Sequence, residues 1–143
     1  MIDSFTGEYR FLSNFWPAHV VYQGWIFPTV EHAYQAAKSN DPAVWARMAN
    51  VVKPGEAKRY GREIIIRKDW DAVKIHIMTD LVRQKFSHPG LRHLLLKTGD
   101  QELIEGNHWN DRFWGVCRGG GRNELGKILM LVREEIRSEM KSE

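Results

Sequence analysis

An acid, a phenol, an amide and an amine stand at Glu31, Tyr34, Gln35 and Lys38, within the stretch Pro28-Thr29-Val30-Glu31-His32-Ala33-Tyr34-Gln35-Ala36-Ala37-Lys38. Their intervals are i, i+3, i+4 and i+7, which on an α-helix form one stripe. A carboxylate and an amine bordering one pocket can stabilise a cation, move a proton or attack a carbonyl carbon. The stretch also reads as a helix entry. Pro28 closes an extended segment, Thr29 is a good N-cap, and the alanines that follow have high helix propensity. A solvent-facing helix seldom sets these four groups on one face beside small residues. The plainer alternative makes Glu31 a first-turn acid complementing the helix dipole, with Tyr34 in the core and Lys38 in water.

A second concentration of chemistry runs through Gly106-Asn107-His108-Trp109-Asn110-Asp111-Arg112-Phe113-Trp114-Gly115, where acid, base, amide and aromatics share a stretch with neither helix nor strand period. Loops often carry binding and catalytic groups. The alternative is a compact loop packed by its own aromatics, with Asp111 capping a backbone turn. Further on, Gly119-Gly120-Gly121-Arg122-Asn123 leads into the last helix. A glycine-rich turn at a helix N-terminus offers N–H groups to an anion, so a phosphate site competes there with a plain connector. It is neither a P-loop nor a dinucleotide fingerprint. No pair of histidines has the H-E-x-x-H spacing of a zinc site, so no metal is expected, and the lone Cys117 reads as structural.

The elements that must position these groups can be read in outline. Ile2–Thr6 suggests a short strand, and Arg10–Phe15 a turn-rich segment. His19–Tyr22 and Trp25–Phe27 flank Gln23-Gly24, the signature of a hairpin. A helix runs from about Val30 to Ser39, a second begins at Asp41-Pro42 and continues through Met48, and a short one leads from Pro54 to Gly61-Arg62. Glu63–Arg67 fits either a buried strand or a linker. Trp70, Val73, Ile77 and Leu81, with Met78 and Val82, have helical spacing over about 69–86. Pro89 opens a helix that Gly99 stops, Gln101–Glu105 reads as a strand, and residues 106–121 form a loop. The last helix, from about Asn123 to Met140, turns Leu125, Ile128, Leu129, Val132 and Ile136 inward. The fold class is therefore α+β: a single compact, mostly helical domain over 1–143 with a few short strands.

Composition agrees with an ordinary globular chain of 143 residues, with 43% hydrophobic and 27% charged residues. No apolar run is long enough to span a membrane, and no signal peptide is evident, so a cytoplasmic location is expected. The net charge of +3 is too mild to imply nucleic-acid binding but permits an anionic ligand such as phosphate. Six tryptophans suit either core packing or stacking on planar rings.

Taken together and in order, several segments resemble the NADAR family, in particular its YbiA-like N-glycosidases. They are Leu12-Ser13-Asn14-Phe15, Phe27 through Lys38, Gly61-Arg62, Trp70 with Val73-Lys74 and Met78, and Lys85-Phe86. They continue with Leu94 through Gly99, Asp111 with Trp114-Gly115, and Gly121-Arg122-Asn123-Glu124-Leu125-Gly126 through Leu129-Met130 and Arg133. The resemblance covers about Phe5 to Ile136. It implies an α+β hydrolase that cleaves the bond between ribose C1 and a nitrogen, without metal or organic cofactor. The implied substrate is a small phosphorylated ribosyl-base compound: a phosphoribosylamino-pyrimidine of riboflavin synthesis, or guanine carrying ADP-ribose in a nucleotide or nucleic acid. One departure stands out. After Trp114-Gly115 the family continues with an acid or glycine, where this chain has Val116-Cys117-Arg118.

Breaking a ribosyl C–N bond makes C1 cation-like, which calls for negative charge near C1, a proton for the departing nitrogen and a positioned water or nucleophile. On the resemblance, Glu31 and Asp111 are the carboxylates. One stabilises the sugar cation or activates water, and the other orients the ribose or protonates the base. Trp70 stacks on base or sugar, and Tyr34 and Trp114 border the substrate. Arg62, Lys85 and the turn Gly121–Asn123 hold phosphate, and Asn14 reads a hydroxyl or a base edge. Lys38 either pairs with an acid or attacks the opened sugar aldehyde as a Schiff-base nucleophile. The competing reading is a non-catalytic module that binds ADP-ribose or a related nucleotide. A carboxylate near an anionic ligand weakens simple binding, and that favours the enzyme.

Overall fold

A computed structural model describes residues 1–142. Its contacts sort into two units, Asn14–Lys85 on the one hand and Met1–Ser13 with the chain from Phe86 onward on the other.

In the unit Asn14–Lys85, the hairpin comes first: β1 (Val20–Tyr22) pairs antiparallel with β2 (Trp25–Phe27). Its register places Val20 opposite Phe27, both buried, and Val21 opposite Ile26, both exposed, which is the alternation of a strand pair with one covered face. Gln23 and Gly24 both take positive φ, at 51° and 79°. A two-residue turn that matches the strand twist needs this at both positions, so Gln23 as well as Gly24 adopts the left-handed form. Gln84 then covers the outer edge of β1. Its Oε1 accepts from the Val21 N–H at 2.7 Å and its Nε2 donates to the Val21 carbonyl at 2.9 Å.

Helix α1 (Val30–Ala36) follows, and all seven of its residues are buried. A helix buried all round belongs at the middle of its unit, and α1 packs against both strands and against α2 (Pro42–Ala49), α3 (Pro54–Gly61) and α4 (Trp70–Lys85). Ala33, Ala36 and Ala37 have no exposed surface, and their small side chains let these neighbours approach closely. The local chemistry agrees with the outline read from sequence. Thr29 Oγ1 accepts the His32 N–H, Asp41 accepts the Ala43 N–H at 2.9 Å, and Pro42 and Pro54 open α2 and α3. Residues 63–67 form neither helix nor strand. Ile64 is buried, but Ile65 is 91% exposed and Ile66 is exposed too, so the segment is a linker and not a core strand.

The other unit holds a 3₁₀ helix at Gly7–Leu12, then α5 (Pro89–Lys97) and α6 (Glu124–Lys141). The 3₁₀ helix begins just after the expected strand and takes in the first part of the expected turn-rich segment. The two expected strands at 2–6 and 101–105 reduce to one parallel bridge between Ile2 and Leu103, with the Ile2 N–H donating to Glu102 and the Ile104 N–H donating to Ile2. Leu125, Ile128, Leu129, Val132 and Ile136 of α6 are all buried, as their spacing predicts. Helix dominates and one two-stranded antiparallel sheet accompanies it, so the α+β, mostly helical class holds. No helix among the described residues is long and apolar enough to cross a membrane.

Candidate active site

Seven of the eleven expected site residues fall in the unit Asn14–Lys85: Asn14, Glu31, Tyr34, Lys38, Arg62, Trp70 and Lys85. Helix α1 is the element around which they gather. The Asn14 carbonyl accepts the N–H of Glu31 at 3.1 Å, which closes the first turn of α1 and sets Asn14 beside the carboxylate's backbone. The Asn14 amide reaches Met78 Sδ on α4 at 3.6 Å. His32, between them in sequence, has a structural job. The Thr29 hydroxyl lies 2.7 Å from its Nδ1, and its Nε2 lies 2.9 Å from the Val51 carbonyl. A carbonyl can only accept, so Nε2 carries the proton and Nδ1 accepts from Thr29. Burial pushes the His32 pKa down, which keeps the ring in that neutral form.

Glu31 is buried, with 8% of its surface exposed, and its Oε1 accepts from Gln35 Nε2 at 2.8 Å. The helix expected to reach Ser39 ends at Ala36, and in the turn just beyond it the Lys38 ammonium lies 5.8 Å from the centre of the Tyr34 ring. The Tyr34 ring in turn packs on Trp70, with centroids 5.1 Å apart. Burial pushes the Lys38 pKa down. Glu31 pulls it back up, and Arg62, Lys58 and Lys74 push it down again. One amine, one carboxylate and three further cations therefore share a neighbourhood built from α1, the end of α3 and the start of α4. An amine whose pKa is lowered by desolvation and by like charges is a better nucleophile at neutral pH. Cations on the rim suit a phosphate.

Two expected residues stand differently from the sequence reading. Trp70 is buried and its ring packs on Tyr34, so it supports the phenol from behind and offers little face on which a base can stack. Lys85 is 1% exposed, and burial pushes its ammonium down to about 7. A phosphate-holding lysine needs a standing charge at an open surface, and neither condition fits that site. Two grooves open on this unit. One of about 900 Å³ runs along Ser39–Asp41, Tyr60 and Ile64–Lys68, and another of about 570 Å³ lies along Arg47, Tyr60 and Arg62. Arg62 alone among the expected residues lines either, and of the charge cluster around Lys38 it is the one member in their walls.

Asp111, Trp114, Gly121 and Asn123 belong to the other unit. There the 106–121 loop is packed by its own groups. Asp111 Oδ1 accepts the N–H groups of Phe113 and Trp114 at 3.1 and 2.9 Å, and Asn107 brackets the same turn from both sides. The Phe113 and Trp114 rings meet edge to face at 4.8 Å. The turn before α6 is equally occupied. Its successive N–H groups from Arg122 to Leu125 donate to the carbonyls of Arg112, Gly115, Phe113 and Trp114. The Asn123 amide bonds the backbone of Leu103 and Glu105, and a Cβ on Gly121 would meet Val116 Cα at 2.9 Å. At Gly121–Asn123 the N–H groups of Arg122 and Asn123 already donate to carbonyls of the loop. Gly121 and Asn123 brace the loop against the helix.

Sequence reading left three residues of this neighbourhood without a role: Gln35, seen only as part of the stripe, Lys74, named only in the family resemblance, and Lys58, which it passed over. Lys58 on α3 and Arg62 at its C-cap stand at i and i+4, a spacing that could have marked a cationic face.

The comparisons with known proteins agree with this architecture. Residues 3–137 match the NADAR domain, and the chain belongs to that family. It is 44% identical over 137 residues to an N-glycosidase of Nostoc punctiforme, covering 91% of this chain and 87% of that one. It is 39% identical over 139 residues to the N-glycosidase YbiA of Escherichia coli, covering 93% and 85%. A riboflavin biosynthesis protein of Vibrio vulnificus is 42% identical over 133 residues, but the chain spans only 36% of its length. The solution structure of E. coli YbiA superposes with a TM-score of 0.86 at 35% identity, covering 100% of this chain and 90% of that one.

Proposed function

We propose that this chain is an N-glycosidase that hydrolyses the bond between ribose C1 and a nitrogen in a phosphorylated ribosyl-base substrate, with Glu31 and Lys38 as its reacting groups. The coarse activity is that of relatives named N-glycosidase, similar along most of both chains. The observation that carries the finer reading is the charge layout along α1 and just past its end. A buried carboxylate stands on α1, an amine of lowered pKa follows its C-terminus, and Arg62, Lys58 and Lys74 lie close enough to push that pKa down.

The chemistry follows from that layout. As the C1–N bond lengthens, its electron pair moves to the nitrogen, which takes up a proton, and positive charge grows on C1 and the ring oxygen. Glu31, held in a largely dry setting, lowers the energy of that cation. With the base gone, the neutral Lys38 amine adds to C1, one Nζ proton passes to the ring oxygen as the ring C1–O bond opens, and a protonated imine joins C1 to Nζ. One water then adds to the imine carbon, which releases the sugar and restores the amine. Arg62, Lys58 and Lys74 hold the phosphate.

The substrate class is decided by incubating the purified protein with a phosphoribosylamino-pyrimidine and, separately, with guanine-linked ADP-ribose, and following free base by mass spectrometry. Release from the first places the chain with metabolite hydrolysis and release from the second with removal of ADP-ribose. Tight binding of ADP-ribose with no base released from either would make the chain a binding module.

A further inference from the structure

We propose that Gln35 is the positioning residue of the Glu31 carboxylate, and that position 61 is glycine because the Gln35 amide fills the space a side chain would need. The inference rests on the reading of Glu31 as the reacting carboxylate.

Gln35 lies one turn after Glu31 on α1 and is buried. Its Nε2 donates to Glu31 Oε1 at 2.8 Å. Its own Oε1 is buried and accepts no hydrogen bond. The orientation of the amide follows from charge: turned over, its oxygen would face a carboxylate oxygen. So the donor end must point at Glu31 and the acceptor end must point away from it. On that far side stands Gly61, the last residue of α3. A Cβ there would overlap Gln35 Oε1 and come within 2.5 Å of Gln35 Cδ and 3.1 Å of Cγ. The amide is thus wedged between the Glu31 carboxylate and the bare backbone of α3.

Packing alone does not account for this arrangement. Burying an acceptor without a partner is unfavourable, and an apolar side chain of similar length would fill the same space without that penalty. Gly61 has no positive φ to explain its identity, so the space taken by Gln35 is what requires glycine there. What the amide contributes that leucine or methionine could not is a directed donor on the carboxylate. A carboxylate that loses this directed donor spends less time aimed at C1, and small misplacements of a reacting group lower the rate of the chemical step.

The test is a set of variants assayed on the substrate that the wild type hydrolyses. Gln35→Met is expected to melt at the wild-type temperature or higher, keep KM, and lose about ten- to a hundredfold in kcat, the scale of a misplaced reacting group. In a Glu31→Gln background the same change should have no further effect on kcat, since no carboxylate remains to be aimed. Gly61→Ala should lower kcat when Gln35 is present and have no added effect in Gln35→Ala, where the wedge has gone. If Gln35→Met loses kcat equally in both backgrounds, or loses it together with melting temperature, Gln35 is a packing residue and the inference fails. If Glu31→Gln is crippled while Gln35→Met turns over like the wild type, the inference fails and the reading of Glu31 stands. If Glu31→Gln itself retains full turnover, that reading is what has failed. Should Gln35→Met not fold, the Gly61→Ala and Gln35→Ala pair answers the same question.

Discussion

Replacing Glu31 by glutamine separates two roles for this carboxylate by the sign of the effect. The substitution keeps size and lets the new amide oxygen accept from Gln35, so the fold of α1 should persist. If Glu31 stabilises the cation at C1, its loss is felt as lost Coulomb energy. A full unit charge at about 4 Å and an effective dielectric of about 20 contributes about 4 kcal/mol. The transition state carries part of that charge, and Glu31 is 8% exposed, so screening by water is limited. Two-thirds of the figure, about 2.7 kcal/mol, corresponds to about a hundredfold in kcat at 1.36 kcal/mol per decade. If Glu31 served only as an ion-pair partner of Lys38, the result would reverse. Glu31 raises the Lys38 pKa. Its removal would lower that pKa further, leave more neutral amine at pH 7, and raise turnover. The assay is single-turnover release of base, read beside a thermal melt. A folded Glu31→Gln protein with turnover equal to or above the wild type would refute the cation-stabilising role.

Lys38→Arg keeps a positive charge but cannot form an imine, so turnover should fall at least as far as in Glu31→Gln, and borohydride should trap a sugar adduct on Lys38 of the wild type only. Retained turnover in Lys38→Arg, with no adduct in the wild type, would leave Lys38 as a charge partner. Trp70→Ala should act on stability, by about 3–5 kcal/mol for a buried aromatic, with affinity per folded molecule unchanged. An unchanged melt with weakened substrate binding would restore Trp70 as a stacking platform. Lys85 has its folded pKa pushed down to about 7 from 10.5, so between those values the unfolded chain holds the extra proton and stability rises with pH. The slope is about 1.4 kcal/mol per pH unit, with the full penalty present below pH 7. Denaturant titrations of wild type and Lys85→Met across pH 6–10 should therefore diverge, and parallel curves would show that Lys85 keeps an ordinary pKa.

The α1 entry, the hairpin turn and the proline-started helices were legible because each is written in local chemistry: Thr29 as cap, Gln23-Gly24 at the turn, Asp41-Pro42 and Pro54 at helix starts. The core face of α6 was legible from its spacing. What the sequence did not disclose depends on contacts distant along the chain. A run of residues such as 2–6 looks the same whether it pairs along its length or bridges at Ile2 alone, and the bridge is decided by Leu103. Lys85 was expected to hold phosphate, and only the packing of its unit reveals that it is buried. Gln35 looked like one member of a polar stripe, because its constraint comes from Gly61 on another helix. For the 106–121 loop, both readings were in view from the start. The structure adds that Asp111 Oδ1 accepts two backbone N–H groups of the turn.

The central claim is that carboxylate and amine suffice to break a ribosyl C–N bond. Base and reducing sugar released by chelator-treated protein from a phosphorylated ribosyl-base substrate measure this most directly. The expected result is one base and one sugar phosphate per bond cleaved, at a rate that chelation leaves unchanged and that falls about a hundredfold in Glu31→Gln. Loss of turnover on chelation with recovery on adding zinc or magnesium, or binding of the substrate without release of base, would contradict it.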